Sequence, residues 1–175
     1  MSSLDSIDRK IIALLQHDAR MTNAALATEV GLTAPSVFER VRKLEQRGVI
    51  QRYTVQVDAA ALDKPLTAFL RLTVGYDERY EAGVQSLRDD PDILECYSVA
   101  GEDCFVIKTR VENTAALEAL IKRIRSRVTV VRSVTMIALS AIKEGGALDV
   151  GLPAEVDEPA DQAANGQRAS RTARK

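Results

Sequence analysis

Residues 31–50 read GLTAPSVFERVRKLEQRGVI, and the organisation of the chain turns on this stretch. Gly31 makes a turn, Thr33 can cap a helix with its hydroxyl, and Pro35 sits in the first turn, where its missing N–H costs nothing. Val37, Val41 and Leu44 recur at i, i+4 and i+7 and form one apolar stripe. Ser36, Glu39, Arg42, Lys43 and Gln46 fall on the other side, with Arg40 and Arg47 at its edge. Gly48 ends the helix without a Cβ penalty, and residues 49–57 alternate as a small strand should. A helix with one buried stripe and a mostly basic outer face suits the major groove of double-stranded DNA.

Upstream, residues 4–16 place Ile7, Ile11, Leu14 and Leu15 at helical spacing, with Asp5 and Asp8 early, where they favour the helix dipole. A second helix is expected over residues 23–30, with Leu26, Ala27 and Val30 apolar and Gly31 closing it. Two short helices joined by a glycine turn, the second polar outward, predict a helix-turn-helix domain over residues 1–57. With its trailing strand it is of winged type. Residues 58–64 are an Ala-rich linker ending before Pro65.

Downstream the period changes. Residues 66–74 alternate as a strand, 78–88 carry Tyr80, Val84 and Leu87 on one helical face, and 93–100 and 104–111 are strands around Gly101-Glu102-Asp103. Asn113 or Thr114 caps a helix carrying Leu117, Leu120, Ile121 and Ile124, and residues 133–142 form the last strand. The order β-α-β-β-α-β over residues 65–143 predicts a ferredoxin-like sandwich, so the fold class is α+β. Its helices cover one sheet face. The other, with Thr67, Phe69, Thr73 and Ser98 and the charged exceptions Arg71, Glu95, Lys108 and Arg110, needs a cover, and a second copy is the simplest one. Residues 144–175 are rich in Gly, Pro, Ala and charge, lack aromatics, and read as a disordered tail whose Arg168, Arg171, Arg174 and Lys175 could touch phosphates weakly.

Charge distribution outweighs total charge here. The chain's formal net charge is −1, yet residues 33–52 hold five cations (Arg40, Arg42, Lys43, Arg47 and Arg52) against two anions, a local +3. No apolar run is long enough to span a bilayer, and the N-terminus has no signal-peptide core, so a cytoplasmic protein is expected. Cys96 and Cys104 form no CxxC pair and are expected to be buried, inert thiols; the single histidine, His17, leaves no metal-ligand cluster. No cofactor is implied.

The stretch LDSIDRKIIALLQHDARMTNAALATEVGLTAPSVFERVRKLEQRGVIQRY resembles the N-terminal half of the Lrp/AsnC (feast/famine) transcriptional regulators. The resemblance continues through the β-α-β-β-α-β unit to VRSVTMIALSAIKEG, covering about residues 4–145. It implies a homodimer, or a tetramer or octamer assembled from dimers, that binds DNA through paired helix-turn-helix units and whose ferredoxin-like domain takes a small effector, often an amino acid. By that resemblance the effector lies near Gly101, Glu102 and Asp103, with Thr135 as a wall. The common family form is Gly-x-x-Asp; here Asp103 comes one position early and Cys104 stands where the acid is expected.

For DNA, Arg40, Arg42, Lys43, Arg47 and Arg52 are the phosphate candidates, and Thr33, Pro35, Ser36 and Glu39 lie near the start of the helix, where base edges are reached. Arg40, closest to the core stripe, could instead pair with an acid such as Asp8, and Glu39 could simply balance Arg42 or Lys43. The leading function is a sequence-specific transcriptional regulator of a roughly palindromic site, nucleoid-associated and modulated by a small effector. An architectural nucleoid protein is the alternative. An enzyme resembling haem-pathway decarboxylases is disfavoured, because such chemistry needs an acid-base set that His17 alone does not supply.

Overall fold

The computed structural model describes residues 3–152. They form two units, one of residues 3–53 with 147–152 and one of residues 54–146.

The first unit is helical, with α1 Ser6–His17, α2 Asn23–Val30 and α3 Ala34–Gln46. Each helix begins on a polar cap: Asp5 accepts from the Asp8 N–H, Thr22 from that of Ala25, and Thr33 from that of Ser36. Gly31 closes α2 at φ +68°, a conformation that sets the turn into α3 and that side chains with a Cβ rarely adopt. Ile11, Leu26, Ala27, Val37 and Leu44 are buried, and Leu4, Ile7, Leu15, Val41 and Ile50 pack around them. The predicted apolar stripe is therefore the surface by which α3 docks on α1 and α2. The strand expected over residues 49–57 does not form: the chain there is unpaired and, past Ile50, exposed. Among the described residues the helical unit has no wing strand.

The second unit runs β1 Leu66–Val74, α4 Tyr80–Arg88, β2 Ile93–Ser98, β3 Phe105–Val111, α5 Thr114–Arg127 and β4 Val130–Ile137. The four strands are antiparallel in the order β2-β3-β1-β4. The expected linker carries one 3-10 turn, Ala60–Leu62. β4 begins three residues earlier than expected and stops at Ile137, opposite Ala68, because β1 offers few residues beyond that point to pair with. On one sheet face Ala68, Leu70, Leu72, Val74, Phe105, Ile107 and Val111 meet Leu87 of α4 and Leu117, Leu120 and Ile124 of α5. Ser98, expected on the opposite face, pairs with Phe105 and so belongs to the helix side.

One buried charge ties this layer together. Asp90, between α4 and β2, accepts from Arg123 and from Arg127 (2.8 Å), while Asp92 takes Lys64 (2.8 Å) and Arg123 (2.7 Å). Burial pushes the Asp90 carboxyl up, but the Arg123 hydrogen bonds, the Asp92 N–H and Arg127 outweigh it and hold it below its ordinary value.

Beyond β4, residues 144–152 do not behave as the free tail expected. Glu144 pairs with Lys108 (2.7 Å) and Arg110, and residues 148–151 are held on the helical unit. The rest of the expected tail, with Arg168, Arg171, Arg174 and Lys175, lies outside the described residues.

Candidate nucleic-acid interface and effector loop

The outer face of α3 is as polar as its spacing predicts. Thr33, Pro35, Ser36, Glu39, Arg42, Lys43, Arg47 and Arg52 are all exposed. The Thr33 and Ser36 hydroxyls lie 2.9 Å apart, so the cap and the first candidate base contact share a hydrogen bond. Glu39 accepts from Arg42 at 2.8 Å, the surface balance that is its alternative role. A depression of about 370 Å³ runs along this side, lined by Asp8, Ser36, Glu39, Arg40, Lys43, Leu44 and Arg47. Beyond it Tyr53 donates to Glu45 at 2.9 Å, which anchors the segment carrying Arg52 near the end of α3. Burial and Glu45 push the Tyr53 phenol up to about 12, so it stays a donor through the neutral range.

Arg40 stands apart. Its Nη1 donates to Asp5 and to Asp8, both at 2.7 Å, and its side chain is only 32% exposed. The same Asp5 carboxylate caps α1, and the Asp8 N–H and then Arg40 hold it below its ordinary value. Arg40 is thus committed to α1, and it fixes the angle at which α3 presents its outer face. Phe38, one residue round the helix from the buried stripe and 52% exposed, escaped the sequence reading because it belongs to neither face pattern.

In the second unit Gly101 adopts φ +138° and Glu102 is open to solvent. Asp103 is buried, accepting from Arg71 Nε (2.6 Å) and from Arg132 (3.2 Å). Arg71 and Arg132 both lie on the sheet face away from the helices, since Arg71 alternates with the buried Leu70 and Leu72, and Arg132 sits opposite Thr73. Thr135 pairs with Leu70 and points to the helix side, so it is not brought to the Asp103 cluster. Cys104 is half-buried, its thiol 3.9 Å from the Val74 carbonyl, and Cys96 is exposed on the edge strand β2. Neither is the fully buried thiol expected: Cys96 lies on a strand at the sheet edge, and Cys104 lies at the loop end just before β3. Local crowding nevertheless pushes the Cys96 thiol up, away from a reactive thiolate. Among the described residues no group of three or more His, Cys, Asp or Glu could hold a metal.

The family model for the AsnC-type helix-turn-helix domain matches residues 4–45, and that for the Lrp/AsnC ligand binding domain matches residues 67–148. The chain belongs to the Lrp/AsnC family. It is therefore a helix-turn-helix transcriptional regulator with an α+β, ferredoxin-like second domain. It is 38% identical over 128 residues to the HTH-type transcriptional regulator LrpA of Mycobacterium tuberculosis, covering 73% of this chain and 85% of that protein. It is 34% identical over 151 residues to the leucine-responsive regulatory protein of Salmonella typhimurium, covering 83% and 90%. The structure of the feast or famine regulatory protein of M. tuberculosis complexed with L-methionine superposes with a TM-score of 0.74 at 36% identity, covering 81% of this chain and 96% of that one.

Two features of this Lrp/AsnC chain come from its fold rather than from local pattern. One is the pair of arginines closing on Asp103; alternation places Arg71 on the open face, but only the fold shows that Arg132 and the loop acid meet it there. The other is the segment beyond residue 148, which lies past the end of the ligand-binding match.

Proposed function

We propose that this chain works as a homodimer whose two α3 helices enter successive major grooves of a roughly palindromic DNA site, with half-sites about one helical turn, or a multiple of it, apart. The observation that carries this reading is α3 itself. Its apolar stripe is buried against α1 and α2, its Thr33 cap is formed, and its Ser36, Lys43 and Arg47 side faces outward. Lys43, Arg47, Arg42 and Arg52 supply phosphate contacts, while Ser36 and Glu39 lie near the end from which bases are read.

Two features favour the dimer. On the open sheet face Phe69, Val106, Val134, Met136 and Tyr97 form an apolar band, by strand register, between the Asp103 ion cluster and the one built on Glu144. Tyr53, Val55 and Val57 alternate along an exposed segment that pairs with no strand among the described residues, and a second copy would supply that partner. Such dimers would assemble further into a tetramer or octamer.

The second domain then takes a small effector such as an amino acid, as the names of the leucine-responsive relative and of the methionine complex support. Asp103 is buried between Arg71 and Arg132, whereas Glu102 reaches Arg132 only at 3.5 Å and its side chain is 82% exposed, so Glu102 is the acid an effector's ammonium group would meet. We place the protein in the cytoplasm, with no helix among the described residues able to cross a membrane, and without catalysis or cofactor. Binding to genomic fragments, its own promoter included, at two salt concentrations with and without an amino-acid panel tests the whole reading. A preferred site shifted by one amino acid supports it. Uniform, steeply salt-dependent binding would instead identify an architectural nucleoid protein.

A further inference from the structure

The outer side of α1 carries a docked segment of the chain itself, residues 148–151 beyond β4. Gln16 presents its amide to Leu148 in both directions: its Oε1 accepts the Leu148 N–H at 2.8 Å and its Nε2 donates to the Leu148 carbonyl at 3.0 Å. About two turns earlier, Arg9 donates to the Val150 carbonyl. Asp149 accepts the Gly151 N–H at 2.8 Å, which turns the segment between the two anchors. The Leu148 side chain points to solvent, so the contact is made by backbone polar groups rather than by apolar burial. A side-chain amide offers a donor and an acceptor side by side and satisfies a residue as a neighbouring strand would.

Upstream, Glu144 is fastened to Lys108 and Arg110 of β3. The chain therefore passes between its two units twice, at Tyr53–Thr54 and again at Gly146–Ala147. A unit joined by one extended segment samples many orientations; a second short connection removes much of that freedom. We propose that residues 147–151 are a second tether, docked on α1 through Gln16 and Arg9, which restricts the placement of the helix-turn-helix unit and so narrows the half-site spacing the dimer accepts. The docking stands on its own geometry; the spacing consequence rests on the DNA-binding reading above.

The test uses the full chain with Gln16→Ala and, separately, Arg9→Ala. Neither residue lies in the buried core of the helical unit or among the DNA candidates, and unchanged helical circular dichroism verifies folding. The first readout is hydrogen exchange over residues 147–151. Protection is expected in the natural chain, and Gln16→Ala should speed exchange of the Leu148 amide about tenfold, the equivalent of one to two ordinary hydrogen bonds. The second is binding to DNA with two half-sites spaced in phase or half a turn out of phase. Discrimination between these spacings should fall about threefold or more in either variant, because the tether's effective concentration is lost. No protection in the natural chain, or unchanged protection in Gln16→Ala, overturns the docking. Lost protection with unchanged spacing discrimination overturns the tether. If the chain binds no DNA at all, the exchange readout still decides the docking, and it is the regulator reading that fails.

Discussion

Arg40→Ala separates a residue that positions the recognition helix from one that touches DNA. The guanidinium makes two 2.7 Å contacts, one to Asp5 at 51% side-chain exposure and one to Asp8 at 13%. The Asp5 contact is screened and worth little, whereas Asp8 would be left a largely covered carboxylate without its cation. Together the loss should cost about 1–2 kcal/mol, between the values for exposed pairs and for buried charged hydrogen bonds. In a unit this small that lowers Tm by roughly 4–15 °C. DNA affinity should fall by a similar factor at every salt concentration, because fewer molecules hold α3 correctly. The slope of log K against log salt should not change, since no phosphate contact is removed. Lys43→Ala should do the reverse: Tm holds, and the slope drops by about 0.9 per copy engaged. Between 50 and 200 mM salt that makes the variant about 3.5-fold less salt-sensitive per contact. Fluorescence anisotropy across a salt series, with thermal melts of the same samples, reads both quantities. If Arg40→Ala flattens the slope as Lys43→Ala does and leaves Tm unchanged, Arg40 is a phosphate contact and the ion-pair reasoning is wrong.

Three further outcomes are expected. Asp90→Ala should cost about 2–3 kcal/mol in denaturant unfolding, because Arg123 and Arg127 lose a carboxylate that is itself buried. Asp90 and Asp92 are both held below their ordinary values, so their contribution is complete above about pH 4 and disappears as pH falls through the lowered folded values. Acid titration of the natural chain should therefore show a stability loss below about pH 4 that is smaller in Asp90→Ala, with the Asp92 share remaining. On the open sheet face, Met136→Glu should weaken self-association by tenfold or more, about 1.4 kcal/mol, measured by sedimentation, whereas Leu148→Glu should not. At the effector loop, Arg132→Ala should leave Asp103 with Arg71 alone and shift the effector response more than Thr135→Ala, which faces the other side of the sheet.

Local pattern carried much of the fold. The alternation Leu66-Thr-Ala-Phe-Leu-Arg-Leu-Thr-Val74 marks β1 at both ends, and the glycine after Val30 marks the end of α2, because period and turn chemistry are written within a few residues. Pairing is not written there. Residues 49–57 have the composition of a strand but no neighbouring strand among the described residues, and residues 138–142 outrun the strand that β4 lies against. Arg40 shows the same boundary in the candidate site: its position near the core edge raised the Asp8 pair as an alternative, and only the packing of α1 on α3 brings Asp5 as well. Arg71 and Arg132 meet Asp103 through a crossing of β1, β4 and the β2–β3 loop that no local pattern records. The docking of residues 147–151 escaped for a plainer reason, since Gly- and Ala-rich chain binds here through its backbone, which every sequence shares.

The most direct measurement is recovery of DNA from a sheared genomic library by the full natural chain at low salt, followed by footprinting of the recovered fragments. Protection of two related half-sites about 10 base pairs apart, or a multiple of that, is the predicted result. Absence of any DNA affinity at low salt would contradict the assignment of α3 as a DNA-reading helix.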